Sequence, residues 1–89
     1  MNSELTDDFV VCFRRLPARI KRQARRCYQI WKANPAHPGV DFKRVGVKSP
    51  IYSVRVGIGW RALGLKQGQT ILWFWIGSHA EYDRLLRQS

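Results

Sequence analysis

The sequence predicts an α+β fold: an N-terminal helical hairpin packed on a small antiparallel β-sheet, three to four strands in a meander, closed by a short C-terminal helix. Three observations predict it. Apolar residues recur with helical spacing as far as Trp31. The period changes to two after residue 40. A helix-capping signature follows the last apolar run.

In "LTDDFVVCFRRLP", Leu5, Phe9, Cys12, Phe13 and Leu16 fall at i, i+4, i+7, i+8 and i+11, the stripe of an amphipathic helix. Thr6 is its N-cap, with Asp7 and Asp8 suiting the positive helix end. Pro17 ends this helix and can occupy the first turn of the next. The second helix, "ARIKRQARRCYQIWKAN", gathers Ile20, Ala24, Cys27, Tyr28 and Trp31 on one stripe, and Asn34-Pro35 stops it. Beyond the loop "NPAHPG", the segment "FKRVGV" is a candidate short strand. "YSVRVG" alternates Tyr52, Val54 and Val56 against Ser53, Arg55 and Gly57. "GIG" turns the chain into "WRALGLK", and "QGQ" turns it again into "TILWFWIG". That last strand is apolar on both faces, so it is expected to be central or covered on both sides. Ser78-His79-Ala80-Glu81 then reads as a capping box opening the closing helix, with Leu85 and Leu86 as its apolar contact.

A chain of 89 residues implies one domain over 1–89, and 45% hydrophobic and 12% aromatic residues suffice for a core. Sixteen Lys and Arg against six Asp and Glu give a net charge of +10, which predicts attraction to polyanions. Cys12 and Cys27 read as small buried apolar residues rather than a disulfide framework. Neither histidine has ligand spacing to a cysteine, so no metal site is expected. There is no glycine-rich phosphate loop, HExxH, CxxC or nucleophile elbow, and no cofactor is expected. The segment "MNSELTDDF" lacks an apolar targeting core and no apolar run could span a bilayer, so the expected location is the cytoplasm, with no membrane partner.

Three constellations could carry chemistry. His79 lies in the first turn of a helix, and Tyr82, three residues on, shares its face; together they could contact one phosphate or stack one base. On spacing alone, a plain helix terminus is the commoner meaning of such a pair. Arg55 and Arg61 flank the "GIG" turn. A two-residue loop sets Arg61 opposite Val56; a three-residue loop sets it opposite Arg55, on a shared face, and both remain open. Arg19, Lys21, Arg22, Arg25 and Arg26 lie outside the apolar stripe of the second helix. Such a face can simply be solvated, but five cations so close repel one another unless a polyanion is near, which favours contact with a phosphate backbone. Lys43 and Arg44 are assigned the same RNA-binding role.

The segments "LPARIKRQARRCYQIWKANPAHPGVDFKRV", "YSVRVGIGWRAL" and "ILWFWIGSHAEYDRLL" together resemble the RelE/ParE superfamily of toxins from bacterial toxin–antitoxin modules. The resemblance runs from Leu16 to Leu86. It implies a small antiparallel sheet with two N-terminal helices and a C-terminal helix. Many members begin with a strand before the helices; here the N-terminus reads as helix, so that strand is expected to be absent. The RelE branch implies a metal-independent, ribosome-dependent endoribonuclease that cuts mRNA, whereas the ParE branch implies an inhibitor of DNA gyrase; a non-catalytic RNA-binding relative is a third possibility. Carried over by motif, Arg61 matches the arginine of the "yR" strand and His79 with Tyr82 matches the polar cluster after the last strand, with Arg55 in the neighbouring strand. In that reading His79 accepts the 2′-OH proton, the arginines stabilise the phosphorane, and Tyr82 orients the phosphate or stacks a base. The implied partners are a cognate acidic antitoxin, the ribosome and mRNA.

Overall fold

A computed structural model describes residues 1–88. Five strands form one sheet in the order β1-β5-β4-β3-β2: β1 Asn2–Leu5, β2 Lys43–Arg44, β3 Ile51–Gly57, β4 Trp60–Gln67 and β5 Thr70–Ser78. Three helices, α1 Asp7–Arg14, α2 Ala18–Ala33 and α3 His79–Gln88, complete the α+β fold. The helical hairpin, the β3-β4-β5 meander, the short strand in "FKRVGV" and the closing helix all stand where the sequence puts them.

The sheet has one strand more than expected, and it is mixed. Asn2–Leu5 is a strand, parallel to β5, with Asn2 opposite Thr70 and Leu5 opposite Trp73. The strand expected to be absent is therefore present. "NSEL" has no apolar alternation to announce it; its order comes from β5 and α2. The Asn2 amide donates to Gln69 O, the Thr6 amide donates to Trp73 O, Ser3 Oγ lies 2.7 Å from Tyr28 Oη, and Lys32 Nζ donates to Met1 O. Leu5 is consequently a strand residue, exposed rather than part of the α1 stripe. Thr6 caps α1 as expected, its hydroxyl accepting from the Phe9 amide.

Alternation divides the sheet into two faces. Val54, Ala62, Ile71, Trp73 and Ile76 point to the face that α1 and α2 cover, where they meet Leu16, Ile20, Cys27 and Trp31. Trp31 is the hub, edge-on to both Trp73 at 5.3 Å and Phe42 at 5.7 Å between ring centroids. The opposite face carries Ser53, Arg55, Arg61, Leu63 and Trp75, and α3 packs there. So β4 and β5 are covered on both sides, which is why "TILWFWIG" is apolar throughout.

The β3–β4 connection resolves the question of Arg55 and Arg61. The loop is two residues, Ile58 and Gly59, with Gly59 at φ +83°. The register nevertheless shifts by one between Arg55 and Gly57, so Val56 is an extra residue in β3 and Arg61 stands opposite Arg55. A short loop plus a bulge gives the shared face that the sequence linked to a longer loop.

A second bulge interrupts the β4–β5 register beside Gly64. A Cβ at Gly64 would lie 2.5 Å from Ile71 Cγ2 and 2.8 Å from Trp73 Cε3, both buried in the core. Gly64→Ala is expected to destabilise the fold by about 1–3 kcal/mol, the usual cost of overpacking a core. Urea unfolding measures it; an unchanged midpoint would mean that the bulge absorbs the methyl group.

Candidate active site

The face under α3 begins with a buried charge. Arg61 is only 4% exposed. A guanidinium in the middle of a sheet is costly unless its N–H groups are paired. Here Nε and Nη2 both donate to Ser53 Oγ, at 2.8 and 2.5 Å, Nη2 also donates to Asp41 O at 3.1 Å, and Nη1 donates to Asp41 Oδ2 at 3.2 Å. The ring of Tyr82 covers the guanidinium, with Cζ 5.2 Å from its centroid. Arg61 is thus an integral part of the fold as well as of the site.

Asp41 draws in two further cations. Its Oδ2 lies 3.5 Å from Lys43 Nζ and 4.0 Å from Arg55 Nη2. Three positive side chains therefore surround one carboxylate, and the cluster keeps an excess positive charge. Arg55 and Lys43 remain about half exposed at their side chains, 53% and 54%. Burial alone pushes the Asp41 carboxyl up, but the charges of Lys43 and Arg61 and their hydrogen bonds together outweigh it. They hold the carboxyl below its ordinary 3.8.

His79 sits at the other end of Tyr82, the two rings edge-on at 5.4 Å. Its amide donates to Gly59 O at 2.7 Å, which ties the start of α3 to the tip of the β3–β4 hairpin. Its Nδ1 lies 3.2 Å from Asp83 Oδ2, one helical turn on, and the imidazole is 52% exposed. With Nδ1–H donating to Asp83, Nε2 carries the free lone pair, the arrangement of a base oriented by a carboxylate. The capping box forms largely as expected. Ser78 Oγ accepts from the Glu81 amide at 3.3 Å, but Ser78 Oγ itself donates to the Glu81 carboxylate, which grips the hydroxyl instead of the backbone.

Arg55, Arg61, Tyr82 and His79 are therefore brought together on one face. Two of the expected roles need correction. Tyr82, expected to orient a phosphate or stack a base, is only 5% exposed and lies between Arg61 and His79, so no base can stack on it. Arg61, expected to meet the phosphorane directly, is buried and already bonded to Ser53 and Asp41. The second-helix cations do not converge on this place, because α2 covers the opposite face of the sheet. Arg19, Lys21, Arg22 and Arg26 have no carboxylate within 4 Å among the described residues, whereas Arg25 lies over the Phe13 ring at 5.2 Å. Lys43 belongs to the Asp41 cluster, and Arg44 Nε donates to Gly46 O.

Sequence reading missed Asp41, Ser53 and Asp83. Asp83 had a signal, since it lies at i+4 from His79. Asp41 had none, being a loop residue twenty positions from its main partner. Cys27 is a buried small residue as expected, and it has a further contact: Sγ donates to Arg55 O at 2.9 Å. Burial pushes its thiol up to about 11, against the opposing effect of Arg61, so it stays protonated at neutral pH.

The ParE-like toxin domain family matches residues 18–84. Among solved structures, the chain is similar to the toxin of the RelB–RelE antitoxin–toxin complex of Methanococcus jannaschii, at TM-score 0.71 and 18% identity over 90% of this chain and 95% of that one. It is similar to YafQ of Escherichia coli at TM-score 0.71 and 12% identity, covering 91% and 96% of the two chains. The isolated E. coli RelE toxin aligns at TM-score 0.64 and 10% identity over 99% and 98%. No curated protein matches the chain in sequence.

Two outcomes test this geometry. Arg61→Ala leaves the buried Ser53 hydroxyl unpaired and takes from Asp41 one of its three cations, and is expected to cost about 1–3 kcal/mol in chemical denaturation. Arg55→Ala, at an exposed pair, is expected to cost under about 1 kcal/mol. Because the folded Asp41 carboxyl is lowered, its pairing stabilises the protein fully above the unfolded value and loses that effect as pH falls through the folded one. Asp41→Asn is therefore expected to flatten the fall of Tm between about pH 5 and pH 2. A variant whose Tm falls as steeply as the parent's would contradict the assigned pairing.

Proposed function

Because the chain belongs to the ParE-like toxin domain family, we propose that this toxin of a toxin–antitoxin system is a metal-independent endoribonuclease, one that cuts mRNA on the ribosome and halts translation. The observation that supports this reading best is an unbroken row of contacts: Asp83 to His79, His79 to Tyr82, Tyr82 to Arg61, and Arg61 through Asp41 to Arg55 and Lys43. A half-exposed imidazole stands at one end and two half-exposed cations at the other.

Cleavage of an RNA strand at such a place needs three things: a base for the ribose 2′-OH, cations for the charge that builds on phosphorus, and a proton for the leaving oxygen. His79 Nε2 takes the 2′-OH proton while Asp83 holds the ring. The 2′ oxygen attacks the adjacent phosphorus, the bond to the 5′ oxygen breaks, and a 2′,3′-cyclic phosphate remains. The leaving oxygen takes a proton from the imidazolium or from water. Arg55 and Lys43 meet the phosphorane oxygens. Arg61 and Tyr82 act as positioning residues, one anchoring the cations and the other setting the imidazole's distance from them.

Arg19, Lys21, Arg22, Arg25, Arg26 and Arg44 grip ribosomal RNA from outside the site, through contacts that carry affinity without sequence choice. The partner in the resting cell is a cognate acidic antitoxin. The net charge of +10 favours it, and so does an apolar groove of about 610 Å³ between α1, α2 and β1, rimmed by exposed Leu5 and Tyr28. Three of the structurally similar toxins come from antitoxin–toxin complexes. The proposed compartment is the cytoplasm, where ribosomes and mRNA are.

The test is induction in cells with mapping of new mRNA 5′ ends. His79→Ala is expected to reduce cutting about 10²- to 10⁴-fold, the usual contribution of one general base, while co-sedimentation with ribosomes persists. Undiminished cutting by His79→Ala would falsify the assignment of the base. DNA damage with no RNA cuts would instead identify a gyrase inhibitor.

A further inference from the structure

Asp41 stands at the centre of the cation cluster, and its position poses a question that the proposed chemistry leaves unanswered. A surface built to receive phosphate gains nothing obvious from a carboxylate in its middle. Yet the backbone goes out of its way to place one there. Asp41 has φ +45° and ψ +51°, the only described non-glycine residue at positive φ, on the residue that ends the 3-10 turn Pro38–Val40. Glycine or asparagine would serve that backbone at least as well. The carboxylate is therefore best explained by its own contacts, with Lys43, Arg55 and Arg61 within 3.2 to 4.0 Å of one oxygen.

We infer that Asp41 is an internal counter-ion occupying an anion site: its carboxylate takes the place among Lys43, Arg55 and Arg61 that a phosphodiester would otherwise fill, and so weakens the binding of phosphate there. The inference rests on the reading of this face as phosphate-facing. Its logic is electrostatic. Three cations converging on one point repel each other, and a resident anion keeps them assembled when no ligand is bound. An incoming phosphate must share or displace that anion, so affinity is lowered for every polyanion alike. Arg61 stays fixed in either state, because Ser53 Oγ and the backbone oxygen of Asp41 also hold it.

Asp41→Asn separates charge from shape, since asparagine tolerates the left-handed backbone and its side-chain oxygen can still accept from Arg61. The probe is a fluorescent single-stranded DNA oligonucleotide, which lacks the 2′-OH and cannot be cut by the proposed route. The variant is expected to bind it at least about fivefold more tightly at constant salt, the smallest effect of one unit charge some 4 Å away. Its plot of log K against log salt is expected to steepen. Adding Arg55→Ala to Asp41→Asn is expected to abolish the gain. Equal or weaker binding by a folded Asp41→Asn, checked by its far-UV spectrum, would overturn the inference and make Asp41 a mere organiser of the cations. If Asp41→Asn does not fold, Asp41→Gly, which suits the same backbone, removes the charge for the same binding measurement. Failure here leaves RNA cutting by the parent protein untouched, whereas absence of cutting would leave a measured gain in affinity standing.

Discussion

A guanidinium in the interior of a five-stranded sheet is the constraint on which the rest of this structure depends. Arg61 cannot be buried on β4 without acceptors, and it collects them from two distant places, Ser53 on β3 and Asp41 in the loop before β2. Each contact fixes an element. Ser53 locks the β3–β4 register, Asp41 pins the loop that leads into the edge strand, and the Tyr82 ring seats α3. Removing one donor would therefore disturb three connections, not one, because buried polar networks lose more than the sum of their parts. The same group that organises the fold also concentrates positive charge beneath the exposed Arg55 and Lys43.

The bulge at Val56 matters as much as the charge. In a sheet, a shift of one residue moves a side chain to the other face. If the same residues paired without a bulge, Val56 would stand opposite Arg61 and Arg55 opposite Ala62, away from Arg61 and Asp41. Alternation puts Val54 and Val56 in the helix-covered core, and the bulge after Arg55 sets Arg55 opposite Arg61 on the other face. A two-residue loop and an Arg55–Arg61 pair on one face conflict in a regular hairpin, and the local irregularity reconciles them.

Most of the fold was legible because the relevant signals are local. The α1 and α2 stripes, the Thr6 cap, the glycine turns and the Ser78–Glu81 cap each rest on residues within a few positions. β1 was not legible, because Asn2–Leu5 forms a strand only against the backbone of β5. In the site, residue types and their neighbourhood were legible and their exposure was not. Tyr82, Leu85 and Leu86 fall at i, i+3 and i+4, a stripe that marks Tyr82 for burial, whereas the polar residues around it are those of a surface position. Asp41 could not be read at all: its role exists only once the loop after α2 folds back over β3 and β4.

The amide of His79 bonds the carbonyl of Gly59, so the hairpin tip and the closing helix are joined like a latch and its keeper. Ile58, beside that carbonyl, is almost wholly exposed. Displacing this exposed tip would break the backbone hydrogen bond that joins it to the first turn of α3, the turn that carries the imidazole beside Tyr82.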